Sequence, residues 1–418
     1  MSLPVQKPEF HGWFVVGGAF VLAVLGWGLG FHGMPIYLHT VREARGFALE
    51  LVSTAVTLHY LIGAMVVANL PRLYARFGLP CITSFGVIML AIGLLGWAYA
   101  RTPAELLCAT LFSGSGWVTM SAAAVNAILS PWFVRDRPKA LSTAYNGASI
   151  GGLLFTPLLV ALIGAFGFPA TAALMGAVAV ITVWGLSLTL FSLSPAALGQ
   201  SPDGANANAG EGRAQILHDH ARLTGPALWH DRKFATLASA MALGLFAQIG
   251  LLAHLFSMIV PALGPGWSGM VISLGTGAAI IGRTSVGWLL TAKADRRRIA
   301  MLSHVIQILG IALLALSAQT APTLIVAGVL LFGFGIGNAT SMPPLIAQAE
   351  FAREDTQRVV ALIVAIGQGT YAFAPALFGW LRALSEASRF PAVFLVSALV
   401  MLLAIVLYQI GRPERATR

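Results

Sequence analysis

The stretch GTGAAIIGRTSVGWLL places one guanidinium, that of Arg283, inside an apolar run long enough to cross a bilayer. A cation held there costs about 2.5 to 3.5 kcal/mol on insertion scales, so such residues usually face a water-filled cavity and mark a substrate path. The 15 carboxylates of the chain fall in loops, a linker, the tails or helix ends, and none is placed mid-membrane to neutralise it. The guanidinium fork suits a carboxylate bidentately, with a geometry lysine does not match. The chemistry implied is anion binding, with the substrate as the missing counter-ion. Snorkelling is the competing reading. Arg283 lies roughly 11 Å from the end of its helix at 1.5 Å per residue, within reach of headgroups or a vestibule.

Other polar side chains deep in apolar segments are candidates for the same cavity: Asn126, Tyr145, Asn146, Ser149, His254, Ser257, Asn338, Ser341, Gln368 and Tyr371. Each also suits an interhelical hydrogen bond. His254 and His59 are the candidates for carrying a proton, and His254 is placed near Arg283 by the adjacency of their helices in sequence. Trp27, Gly30, Phe31 and Gly33 suit packing and a gate. Nothing points to an enzyme or a cofactor: there is no His-x-x-x-His, no Gly-x-Ser-x-Gly and no clustered acids. The 2 cysteines, Cys81 and Cys108, lie at or in apolar segments with no metal-ligand spacing.

The elements that must position these residues follow from composition. With 57% hydrophobic and 10% charged residues, 418 residues have too little polar surface for a soluble globule. The 45 glycines suit close helix packing in a bilayer. A transmembrane β-barrel is excluded, because the apolar runs are continuous and about 20 residues long rather than alternating segments of roughly 10. The charge of +10 is scattered between apolar segments, without the contiguous patch nucleic acid requires. The first apolar run is too long for a signal peptide.

About twelve spans are expected: Trp13 to Tyr37, Leu51 to Pro71, Cys81 to Ala100, Ala104 to Leu129, Ala140 to Gly164, Ala170 to Phe191, Phe234 to Pro261, Gly266 to Leu290, Ile299 to Ala318, Thr323 to Ala347, Val359 to Leu381 and Pro391 to Ile410. Most of the 25 Lys and Arg then fall in loops on the side of the termini, which the positive-inside bias makes cytoplasmic. The expected fold is all-α and integral to the membrane: an N-terminal six-helix bundle over 1–191, a cytoplasmic linker over 192–232 and a C-terminal six-helix bundle over 233–418. The linker opens rich in Pro, Gly, Ser and Asn, which reads as flexible, and closes on ALWHDRK, a short interfacial helix. Its His218, His220 and His230 read as solvated surface rather than a metal site.

The halves echo each other. LFSGSG at Leu111 to Gly116 matches LFGFGIG at Leu331 to Gly337, and Arg137 to Ala144 matches Arg358 to Ala365. Parallel repeats of this kind put a substrate site between the halves near the bilayer midplane.

HGWFVVGGAF opening span 1, WFVRDRPKALSTAYNGASIGG entering span 5 and GRTSVGWLL in span 8 resemble the major facilitator superfamily, and within it the monocarboxylate and oxalate-porter-like group. The resemblance implies two pseudo-symmetric bundles, alternating access, proton co-transport and action as a monomer. It also implies conformational loop motifs after spans 2 and 8, here Arg76 and Gly78, and Gly287, Asp295 and Arg296. Both motifs depart from the pattern, with Ala75 and Thr291 at acidic positions, and Ala279 stands where many relatives carry an Asp. The expected function is secondary transport of a small organic anion, a monocarboxylate, across the plasma or inner membrane, with apolar walls from spans 1, 4, 7 and 10. The alternative is efflux of a drug-like amphipathic compound. Against it, span 5 carries Gly151-Gly152 rather than Gly-Pro, with Pro157 displaced, and no intramembrane carboxylate is present.

Overall fold

A computed structural model describes residues 10–204, 225–289, 294–317, 320–385 and 392–412. The described residues form helices and turns without strands. Among the described residues, nine stretches are long and apolar enough to cross a membrane. Two of them, Arg137–Thr189 and Arg232–Leu289, each hold two spans, and Pro322–Ile336 adds a shorter apolar helix, completing twelve.

In chain order, α1 is Gly12–Trp27 continued by a π turn, Gly28–His32, and by Met34–Arg45. Next come α2, Leu49–Phe77, and α3, Leu79–Tyr99. α4 is Pro103–Val118 with Ala122–Leu129. α5 (137–166) and α6 (168–189) meet at Gly167, and α7 (232–263) and α8 (265–289) meet at Gly264. α9 is Arg296–Leu316, and α10 is Pro322–Ile336 with Met342–Glu350. α11 is Arg353–Tyr371 with Ala374–Leu384, and α12 is Ala392–Ile410. Gly167 (φ 79°) and Gly264 (φ 71°) turn the chain through one left-handed residue, a conformation in which Cβ meets the backbone.

Spans 1, 4, 10 and 11 are not the continuous helices expected from hydropathy. Glycine-rich or Pro-flanked segments interrupt them, and backbone groups freed at an interruption must find partners elsewhere. The linker differs as well. Its first dozen residues, expected to be flexible, are tied to the N-terminal bundle: Gln200 Oε1 accepts from His11 N–H at 3.0 Å, and Asp203 N–H donates to Trp132 O at 2.9 Å. Asp203 in turn accepts from the N–H groups of Val134, Arg135 and Asp136. Partial burial alone would raise the Asp203 pKa; the three N–H donors and the Arg135 guanidinium outweigh it and hold the carboxyl below its ordinary value. His218 and His220 lie outside the described residues. Gly225–His230 forms the short helix expected before α7.

The six N-terminal spans share one apolar core, which Ile249, Phe256 and Ala372 of the C-terminal half join, while the C-terminal six hold two more, one at each end. Between these two lies a polar layer in which Gln248 Nε2 donates to Gln307 Oε1 at 2.8 Å. Large apolar side chains such as Ile181, Leu188 and Leu316 face outward, as a lipid-facing surface requires.

The bundles touch in the half of the molecule away from the termini. Ala376 N–H donates to Thr57 Oγ1 at 2.9 Å, Ser53 packs against Gly379, and the His39 and Phe256 rings meet at 5.2 Å. Nearer the middle, Ser273 Oγ donates to Leu153 O, and the Tyr60 and Tyr371 rings meet edge to face at 5.9 Å. On the termini side, Ala122–Leu129 and Met342–Glu350 each pack on helices of their own bundle.

Candidate functional site

Arg283 occupies a defined face of α8. Gly269 lies against Pro157 and Val160 of α5, Gly277 approaches Leu153, and Ser273 bonds to Leu153 O. Ser273, Thr276, Ile280 and Arg283 follow at steps of three and four, so Arg283 continues the stripe that α8 presents to the N-terminal bundle. On α5, Leu153, Ser149 and Asn146 make the matching stripe. Carrying the antiparallel register seven residues toward the termini from Ser273 and Leu153 sets Asn146 level with Ile280, one turn from Arg283. There Asn146 is exposed and Ser149 half-buried. Arg283 therefore lies beside this contact face, on the termini side of the α5–α8 contacts at Gly269, Ser273 and Gly277.

Its guanidinium is anchored at one point: Nε donates to Gly337 O at 2.9 Å. That carbonyl is available because α10 is interrupted after Ile336, at the end of LFGFGIG. The paired LFSGSG precedes the equivalent interruption of α4 at Thr119 to Ser121. The repeated motif thus marks a helix break in each bundle, beyond mere close packing. Glycine is required there: an ideal Cβ on Gly337 would lie 1.9 Å from Ala279 O. Among the described residues no carboxylate pairs with Arg283. In the same break, Asn338 is 2% exposed and its Oδ1 has no partner.

The remaining candidates separate into groups. Asn126 and Tyr145 bond to each other, and Tyr145 OH also donates to Ala122 O at 3.2 Å, which ties the termini-side half of α4 to α5. Gln368 and Tyr371 of α11 face Tyr60, Gly63 and Trp117 of α2 and α4 around a small cavity. Tyr60 and Trp117 were not legible as site residues, because aromatic side chains in apolar helices carry no local polar signal. Trp27 and Phe31, expected in a gate, pack on Trp117 with ring centroids 6.3 Å away in each case.

His59 is enclosed in the N-terminal bundle. Its Nε2–H donates to Gly30 O at 2.9 Å, a carbonyl at the π turn of α1, and its Nδ1 accepts from Ser113 Oγ at 2.9 Å. Trp97 Nε1–H completes the chain by donating to Ser113 Oγ at 3.1 Å. The expectation that His254 lies beside Arg283 is corrected. α7 and α8 run in opposite directions from Gly264, so adjacency in sequence leaves the two residues roughly 13 Å apart in depth at 1.5 Å per residue. His254 belongs to the contact between bundles instead. Its Nε2–H donates to Pro375 O at 3.0 Å, its Nδ1 is buried without a partner, and Ser257, one turn on, accepts from Arg382.

The loop-motif residues bond within their own bundles. Gly78 (φ 79°) makes the turn between α2 and α3, and the Arg76 guanidinium lies 5.1 Å from the Phe77 ring centroid. Asp295 caps α9 by accepting from Arg298 N–H and pairs with Arg412 at 2.8 Å, while Arg296 donates to Leu345 O at 2.6 Å. Between them Arg297, only 1% exposed, makes a two-point pair with Glu350 at 2.8 Å and reaches Thr236 and Lys233 O, which sequence reading missed. Thr291 and the surroundings of Gly287 lie outside the described residues.

Residues 18–352 match the Major Facilitator Superfamily. The chain belongs to that family. Among curated relatives, MFS-type transporter 1 of Ophiocordyceps sp. (strain BCC 1869) is 26% identical over 369 residues, covering 85% of this chain and 76% of the relative. Monocarboxylate transporter 11 of Mus musculus is 31% identical over 189 residues, covering 44% of this chain and 41% of that protein. Two solved structures share the fold: the nucleoside transporter NupG (TM-score 0.71, 14% identity, 96% of this chain and 98% of that one) and a bacterial homologue of the human lysosomal transporter Spinster in an inward-facing and occupied conformation (TM-score 0.72, 13% identity, 98% and 97%). The two six-helix bundles are thus those of a major facilitator transporter, a multi-pass membrane protein.

Proposed function

We propose that this facilitator carries a small organic anion, a monocarboxylate, by alternating access, with Arg283 as the residue that binds its charge. The observation carrying this reading is the Arg283 side chain itself: Nε is held by Gly337 O, no acid answers the charge among the described residues, and its helix is the one that meets α5 of the opposite bundle through Ser273. Anchored through Nε, the two terminal nitrogens are left as a fork for a carboxylate. Asn146 and Ser149 supply neutral hydrogen bonds from the facing helix. The partial relationship to a monocarboxylate transporter supports the same class.

With the termini cytoplasmic in the plasma or inner membrane, the structure is closed on the outer side and parted on the inner side. An empty site leaves a bare charge that resists being enclosed, and a bound carboxylate removes that penalty, so the loaded carrier changes state more readily than the empty one. Proton coupling is assigned to His254, because His59 has both ring nitrogens occupied and His254 keeps Nδ1 vacant. The carrier acts as a monomer in the bilayer, without a cofactor.

The experiment is uptake of a panel of radiolabelled monocarboxylates into proteoliposomes by wild type and Arg283→Lys. Saturable flux that the lysine variant loses is expected. Flux retained by that variant overturns the assignment.

A further inference from the structure

Arg283 accounts for one end of a cargo; the rest of the cargo has its own place in the structure. Where α2, α4 and α11 meet, Tyr60, Gly63, Trp117, Gln368 and Tyr371 surround a notch of about 20 Å³. That is room for one water-sized group, a single hydroxyl or carbonyl, and no more. Its walls come from both bundles. The Trp117 ring packs edge to face on Tyr60 at 6.2 Å and stacks on His59 at 5.9 Å, and His59 is itself held at both nitrogens.

The notch is lined by unused polar groups. Trp117 Nε1–H is buried and has no acceptor. Nε1 packs beside Gly63 at the edge of the notch, where an ideal Cβ would lie 2.8 Å from it. Gln368, Tyr60 and Tyr371 border the same space, and none of the three makes a side-chain hydrogen bond among the described residues. Buried N–H groups without a partner are rare enough in native folds to need an explanation.

We infer that this notch is a second subsite, taking an uncharged hydroxyl or oxo substituent at the end of the substrate remote from its carboxylate. The substituent accepts from Trp117 Nε1–H and exchanges hydrogen bonds with the Gln368 amide, which joins the two bundles through the cargo. No Lys or Arg lines the notch, so a second carboxylate there would be desolvated without a cation. The cargo class is therefore a monoanion, a hydroxy- or oxo-substituted monocarboxylate. Its length follows from the helices: counted from their outer ends, Arg283 lies deeper than Trp117 and across the seam, a separation on the order of 10 Å, which suits a hydroxyaryl alkanoate. This inference rests on the carboxylate reading of Arg283.

The test compares 3-(4-hydroxyphenyl)propanoate with 3-phenylpropanoate, by equilibrium binding to the purified full-length protein in nanodiscs. Wild type is expected to prefer the hydroxylated acid by roughly tenfold, the effect of one hydrogen bond made to an otherwise orphaned donor. Trp117→Phe, which keeps a ring and removes the N–H, should bring the ratio toward one. Gln368→Leu on the other bundle should reduce it independently, which covers the case that Trp117→Phe does not fold. Arg283→Lys should weaken both acids together. A ratio near one in wild type, or a ratio unmoved in the variants, overturns the notch while leaving Arg283 in place. Binding that Arg283→Lys does not alter overturns the carboxylate reading instead, and binding of neither acid overturns both.

Discussion

Arg283 Nε donates to Gly337 O at 2.9 Å, joining a cation on one helix to a carbonyl released by the interruption of its neighbour. The bond uses one side of the guanidinium and turns the other outward. A lysine has a single nitrogen and cannot serve the carbonyl and a carboxylate together with the same geometry. Arg283→Lys is expected to lower anion affinity about 10- to 100-fold, the scale of one or two charge-assisted hydrogen bonds, with thermal stability nearly unchanged. Binding isotherms and a melting curve of the same preparation check both halves of the statement.

The contact between bundles gives a conformational prediction. Ser53 Oγ lies 2.2 Å from an ideal Cβ on Gly379, so any side chain at 379 meets it when the bundles close. Gly379→Val is expected to shift the population toward the state open on the side away from the termini. In a background lacking Cys81 and Cys108, thiol labelling of Thr57→Cys should rise several-fold when Gly379→Val is added. Equal labelling would show that the gate tolerates the bulk.

The chain from Trp97 through Ser113 and His59 to Gly30 is complete with a neutral imidazole. Ser113→Ala leaves Trp97 Nε1–H and His59 Nδ1 unpaired in an apolar interior, at about 1–3 kcal/mol each. The melting temperature should fall by several degrees, and Ser113→Thr should recover part of the loss. An unshifted melt would mean that the network contributes nothing to stability.

Arg297 and Glu350 make the corresponding polar anchor in the C-terminal bundle, with Arg297 1% exposed. Glu350→Ala strands a buried guanidinium and is expected to destabilise by about 3–5 kcal/mol. Replacing both partners, as Arg297→Met with Glu350→Leu, should be much milder. Chemical unfolding of the three proteins in one detergent separates the cost of a broken pair from the worth of an intact one.

Asp203 gives a pH dependence. Its carboxyl is held below the ordinary value of 3.8, so the linker attachment is fully present above that pH and is lost as pH falls through the lower folded pKa. Limited proteolysis of the linker should be slow at neutral pH and accelerate below about pH 4. Asp203→Asn, which keeps the shape and removes the charge, should be cut faster at neutral pH and show a flatter acid limb.

Fold class and span number were legible from residue types alone, because about twenty consecutive apolar residues have only one stable arrangement in a bilayer, a helix with its backbone paired internally. The exceptional status of Arg283 was legible for the same reason: a lone charge in such a run stands out against its surroundings. The partners of that charge were not. Gly337 becomes an acceptor only through a break in α10, and the break follows from glycines that read equally well as packing residues. His254 was misjudged because nearness along a chain says little about depth once the chain turns back at Gly264. Tyr60 and Trp117 were invisible because an aromatic ring in an apolar helix has the same one-dimensional signature whether it faces lipid, core or cargo.

Residue chemistry along the chain thus determined that this protein spans a membrane and keeps one unanswered cation there. Tertiary structure decided which histidine is enclosed and which sits in the contact between bundles, which carbonyl steers the guanidinium, and which orphaned N–H borders a notch. The division has a physical cause. Transfer free energy sums over local composition and is readable in one dimension, whereas a hydrogen bond requires two groups within about 3 Å, and only the packed helices set that distance.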